Sequence, residues 1–237
     1  RSRATIAMSP VAMRRSSASR PPASRRPTCT AAAVACFIAI VFLLPAAAST
    51  GDRAPDPAIA EVNGLVQQGR YQDAVIRGRE ALATAESARG SDSLAVADAI
   101  VALLGALCPA GHSAEPETLA LAQRALAIQT ARDGDDGRET ISGHQAFGRV
   151  HFFRGEFPAA RGHFEQALAA RQKAQMPDDA GAVALLDGLA TTLAEMGDYA
   201  QSRVYYERCL PIFERTNIRP DTIANTLGNY ATVLSDL

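Results

Sequence analysis

The sequence predicts an all-α fold, a solenoid of stacked antiparallel helix hairpins. Three observations predict it. The pair Ala81-Leu82 returns as Ala125-Leu126, as Ala167-Leu168 and, with cysteine for alanine, as Cys209-Leu210, at intervals of 44, 42 and 42 residues. A Gly-x-aromatic triplet stands twelve residues before three of these copies: Gly69-Arg70-Tyr71, Gly155-Glu156-Phe157 and Gly197-Asp198-Tyr199. Between these marks the apolar residues recur at helical spacing. A fixed period of this length signals repeated supersecondary units, each burying its core against its neighbours and leaving a long surface for other molecules.

The chain divides into a leader (1–50), a short linker (51–56) and a repeat array (57–237). Residues 1–27 hold seven arginines and no acid, with Ser and Pro between them. Residues 28–51 carry no charge, and the run CFIAIVFLLP is followed by Ala46-Ala47-Ala48. Basic, then apolar, then small-x-small is the layout of a secretory signal peptide. The expectation is therefore an exported, periplasmic or extracellular protein. A retained anchor at residues 28–51 is the alternative, since 24 uncharged residues suffice to cross a bilayer. Twin-arginine export, hinted at by Ser24-Arg25-Arg26, and an organellar transit peptide also stay open.

The repeats follow in order. The first, VNGLVQQGRYQDAVIRGREAL, places Gly69 at the turn and Tyr71, Ala74, Ala81 and Leu82 on the second helix. The second is irregular: Pro109, Gly111 and Pro116 stand where a tight turn belongs, and Thr118 replaces a small alanine. A longer or distorted connection is expected there. The third, SGHQAFGRVHFFRGEFPAARGHFEQAL, is the best formed. Phe147, Gly148 and His151 share a face of its first helix, Gly155 breaks that helix, and Pro158 suits the first turn of the next. Ala160, Phe164, Ala167 and Leu168 line the second helix, and the small Gly148 and Ala160 let the two helices cross closely. The fourth repeat has Ala190, Gly197, Tyr199, Tyr206 and Leu210 in place. The last residues, NTLGNYATVLSDL, read as a fifth first helix, with Tyr230, Ala231 and Leu234 matching Leu189, Ala190 and Leu193. A solenoid needs capped ends. The expectation is a fragment of a longer gene product, with a lone capping helix as the alternative.

These residues resemble the tetratricopeptide (TPR) repeat, with its Leu-Gly/Ala-x-x-Tyr, Gly-x-Tyr-x-x-Ala and aromatic-x-x-Ala-Leu steps. The resemblance covers roughly residues 57–237, and the 42-residue spacing is similar to the kinesin-light-chain-like subtype. It implies a right-handed superhelix whose first helices line a concave groove. It implies a non-catalytic protein–protein interaction scaffold, set by the leader in the cell envelope. The alternative implication is a sensing segment of a larger enzyme, a CHAT-type peptidase or a kinase, with its catalytic domain outside this chain.

Composition narrows the chemistry. The whole chain carries −1, and the leader's seven arginines leave −8 on residues 51–237, which disfavours nucleic acid as a partner. Cys108 and Cys209 lie two repeats apart at core positions, too far for a disulfide in a solenoid. His144 and His151 are two turns apart on one helix and His163 is on its partner, but all three occupy the aromatic slots of the repeat, so packing explains them and no metal is expected. Gly-x-Ser-x-Gly, Walker, Gly-x-Gly-x-x-Gly, His-Glu-x-x-His and EF-hand patterns are missing from the sequence, so neither catalysis nor a cofactor is expected. Helical rotation from the core positions assigns the groove to Asn63 and Gln67, then Ser142, Gln145, Arg149 and Phe152, then Asp187, Thr191 and Glu195, and last Asn225, Gly228 and Thr232. The expected ligand is a peptide or protein segment of unassigned identity, with Arg149 as its charged anchor in the one net-positive repeat. The Lys/Asn carboxylate-clamp pattern of chaperone-binding repeats is not matched.

Overall fold

A computed structural model describes residues 56–135 and 137–237. The predicted leader and most of the linker lie outside the described residues. Among those residues there are helices and no strands. In chain order they are α1 (Pro57–Gln67), α2 (Tyr71–Arg89), α3 (Leu94–Leu107), α4 (Pro116–Asp133), α5 (Thr140–Phe153), α6 (Phe157–Lys173), α7 (Ala180–Glu195), α8 (Tyr199–Arg215) and α9 (Pro220–Asp236). Each odd helix forms a hairpin with the even helix that follows, and each hairpin packs on the next; α9 stands at the end of the series. The fold is an all-α helical-repeat solenoid.

The Gly-x-aromatic steps become the hairpin turns. Gly69, Gly155 and Gly197 all have φ between 72° and 81°, the left-handed region that a side chain would strain. In each turn the next residue's amide reaches back five residues: Glu156 N to the His151 carbonyl and Asp198 N to the Leu193 carbonyl, both at 2.9 Å. This is the glycine-terminated helix end that satisfies two otherwise orphaned carbonyls. Starts are marked just as locally. The Asp56, Ser93, Asp179 and Asp198 side chains accept from the amides of α1, α3, α7 and α8. Pro57, Pro116, Pro158 and Pro220 fall in first turns, where no amide donor is missed.

The second repeat has the distorted connection its prolines predict. After α3 the chain makes a wide π turn over Cys108–His112, with Gly111 at φ 93°, before α4 starts at Pro116. Thr118, buried, closes that loop by donating to the His112 carbonyl at 2.7 Å. A hydroxyl at the alanine position is thus a tie for the longer loop. The stretch Leu94–His112 has a mean hydropathy of 2.0, enough by length and composition to cross a membrane. Here it is mostly buried within the solenoid, which accounts for the composition without a bilayer.

The core is a series of buried clusters along the array, each shared by first and second helices. One cluster joins Val62, Val66, Ala74, Ile100, Leu103, Leu104, Leu107 and Val150. A second joins Ala160, Phe164, Ala167, Leu185, Leu189 and Leu193. Cys108 and Cys209 are buried free thiols. Close crossings depend on small residues: a β-carbon on Gly148 or Gly188 would meet the Phe164 ring, and one on Gly78 would meet Leu103. The two ends of the array also meet. Arg219, which caps α9, donates through Nη1 to Gln67 Oε1 at the end of α1, at 2.8 Å.

Candidate functional site

The predicted groove residues separate into two sets. Gln67, Gly228 and Thr232 are exposed, and Asn63, Ser142, Glu195 and Asn225 are half-buried. Gln145, Arg149, Phe152, Asp187 and Thr191 are buried, which corrects the expectation that they face solvent. The physical reason is packing against the partner helix of the hairpin and against neighbouring repeats, which the rotation of a single helix leaves out.

Particular neighbours occupy these positions. Phe152 joins the cluster around Leu185, Leu189 and Leu193 and meets Phe157 edge-on, ring centroids 5.6 Å apart. The Thr191 hydroxyl shares a hydrogen bond of 2.8 Å with the Tyr206 hydroxyl, where both are buried. Arg149 reaches the Cys108 thiol one repeat back. Burial works against the Arg149 charge and lowers its pKa, while burial pushes the Cys108 thiol up to about 11. Asp187 accepts a long hydrogen bond, 3.5 Å, from Asn229 on α9, with Thr226 also facing it. Burial raises its carboxyl to about 7, and these two neighbours only partly offset that. Among the described residues its Oδ2 and the Gln145 Nε2 are buried without a hydrogen-bond partner. At the rim, Ser142 accepts from Gln129 at 3.0 Å.

Arg171, near the end of α6, is also buried. It donates to the Pro177 carbonyl at 2.6 Å and to Asp179 at 2.7 Å, so it pins the loop between α6 and α7. Asp179 in turn caps α7.

The histidines pack as the repeat positions imply. Phe147 stacks on His163 at 4.3 Å and on His151 at 4.7 Å between centroids. His151 Nδ1 meets Glu156 at 2.6 Å, and this pairing holds the Glu156 carboxyl below its ordinary value. His144 Nδ1 faces His163 Nδ1 at 3.1 Å. Burial, then the neighbouring His144 and His151, lower His163 to about 4. Among the described residues no three His, Cys, Asp or Glu side chains converge as a metal site.

A surface that sequence reading missed lies between the second helices of repeats three and four. It is a cleft of about 490 Å³ between α6, the start of α7 and α8. Leu168, Met176, Leu186 and Tyr205 line it, and Arg208 stands at 5.5 Å over the Tyr205 ring. Glu165 and Asp178, also on its wall, are engaged by Arg161 and Arg215. The signal for it was Tyr205-Tyr206: two consecutive aromatics on one helix cannot both face its own hairpin.

Comparison with known proteins agrees with this architecture. Residues 116–173 and 183–217 match models of the tetratricopeptide repeat. No curated protein matches the sequence significantly. Among solved structures the chain is similar to the kinesin light chain nearly identical TPR-like repeats of Podosopora anserina, with 18% identity and a TM-score of 0.58. A single-substitution variant of that protein aligns with a TM-score of 0.59. Both alignments cover 76% of this chain and 84% of the other. The 42-residue period, the left-handed glycine turns, the matched repeats and the shared solenoid together place this chain in the tetratricopeptide repeat family.

Proposed function

We propose that the chain is a non-catalytic scaffold of the cell envelope that captures a protein partner through the cleft between α6 and α8. A TPR array is a protein–protein interaction scaffold. The finer reading rests on one observation: five of the twelve predicted groove residues are buried, whereas the α6–α8 cleft is open and mostly polar, with an exposed guanidinium at its edge. A partner carboxylate suits Arg208, which stands over the Tyr205 ring, and the amides of Gln172 and Gln175 on the same wall suit a partner's backbone. A preformed cleft on rigid helices binds with little ordering cost. The order basic, apolar, small in residues 1–50 supports export, with the array across a membrane from the arginines.

The test is capture of envelope proteins on the immobilised chain, followed by titration of whichever protein is retained. Arg208→Ala removes a charge-assisted contact, and weakening of about tenfold is expected, as for loss of roughly 1.5–3 kcal/mol. Gln67→Ala, on the groove rim, should bind normally. If Gln67→Ala weakens capture and Arg208→Ala does not, the rim of the concave side is the binding surface instead.

A further inference from the structure

We propose that α9 is a proton-gated cap, docked on α7 through a polar seam centred on Asp187 and released as that carboxyl ionises. The geometry carries this. The buried residues of α9 are Thr222, Thr226, Asn229 and Val233, which share one helix face. Only the last of them is apolar, whereas no buried residue of α3 is polar. Apolar anchoring of α9 is slight: Val233 is buried, Ile223 and Tyr230 are half-buried, and Leu227 and Leu234 stay exposed. Its seat on the array therefore depends on what the polar stripe meets.

The stripe meets a carboxyl. Asp187 is fully buried, and the hydrogen bond it accepts from Asn229 is long at 3.5 Å. Thr226 also faces it from α9, and the Cys209 thiol faces it from α8. Among the described residues no arginine, lysine or histidine on α5, α6, α8 or α9 offsets its charge. A neutral carboxyl tolerates this seat, but a carboxylate there is a buried charge without a counter-ion. Lifting α9 away returns the carboxylate to water and gives up little apolar contact. The docked carboxyl titrates at about 7 and the released one at its lower ordinary value. The docked form thus holds an extra proton between about pH 4 and 7. Docking is tightest below the ordinary value, weakens as pH rises and is weakest above 7. Release uncovers Asp187 together with Ala190 and Tyr206, the two residues that cluster with Val233. The device does not rely on the α6–α8 cleft.

The experiment is hydrogen–deuterium exchange of the full chain from about pH 5 to pH 8, with protection factors for α9 set against those for α3. Protection of α9 should lie below that of α3 throughout, fall about a hundredfold and level off near the docked titration point. Asp187→Asn keeps a polar side chain in the seam and cannot ionise, so the fall should flatten. A flat wild-type profile, α9 protection equal to that of α3 at every pH, or an undiminished fall in Asp187→Asn overturns the proposal. Should Asp187→Asn fail to fold, Asn229→Leu decides. It removes the donor that favours the carboxylate, so the levelling point should move to higher pH. A levelling point that stays in place refutes the gate.

Discussion

Phe164 and Gly188 are in contact across the third and fourth repeats: a β-carbon on Gly188 would stand 2.9 Å from Phe164 Cε1. The ring is fully buried and also covers Gly148 of its own hairpin. One aromatic side chain thus fixes both the crossing within a repeat and the approach of the next. Gly188→Ala should lower stability by about 1–3 kcal/mol, the usual cost of overpacking. Gly162→Ala meets open space on α6 and should be neutral or stabilising by roughly 0.5–1 kcal/mol through helix propensity. Chemical denaturation of both variants checks the contrast; equal effects would mean that the Phe164 seat can relax.

Ala160 and Ala169 make a matched pair on α6. Ala160 is fully buried in the cluster with Phe164, and Ala169 is exposed. Ala160→Leu inserts three carbons into a filled crossing, so its melting temperature should fall by several degrees, equivalent to about 1–3 kcal/mol. Ala169→Leu should stay within roughly 0.5 kcal/mol of the parent. Comparable losses in the two would show that the helix register is wrong.

The Asp187 carboxyl links stability to pH. Its folded pKa, about 7, lies above the unfolded value, because burial disfavours the charge. Between roughly pH 4 and 7 the native state keeps a proton that the unfolded chain releases. Its contribution is therefore fully present below the unfolded pKa and is lost as pH rises through 7. Asp187→Asn lacks this titration. Relative to the parent it should gain stability as pH rises, by on the order of 1–3 kcal/mol at pH 8. Denaturation midpoints at pH 4.5, 6 and 8 measure this; a pH-independent difference would count against a buried neutral acid.

Arg171 is a structural tie rather than a surface charge. Arg171→Ala removes hydrogen bonds to the Pro177 carbonyl and to Asp179 and frees the loop before α7. Asp179 is partly exposed, which screens the ion pair, so a loss of about 1–3 kcal/mol is expected. Faster proteolysis between Ala174 and Asp179 should accompany it. A variant with unchanged stability and cleavage would show that the Asp179 cap holds the loop unaided.

The sequence by itself determined what is local to a hairpin. The turn glycines, first-turn prolines, small residues at crossings and even the loosened second connection are legible there, because each follows from backbone sterics or from rotation about one helix. What it could not determine is how one hairpin leans on the next. That relation decided that Arg149 reaches Cys108, that Asp187 meets Asn229, and that Gln67 touches Arg219 across 152 residues. Within the third hairpin, the packing of α5 on α6 also set His144 Nδ1 against His163 Nδ1. The stacking angle between repeats is summed from many small side-chain contacts, each between residues some forty positions apart, and no single motif encodes it. The sequence therefore specified the helices and their inner packing, while tertiary structure alone decided which polar faces remain open to a partner.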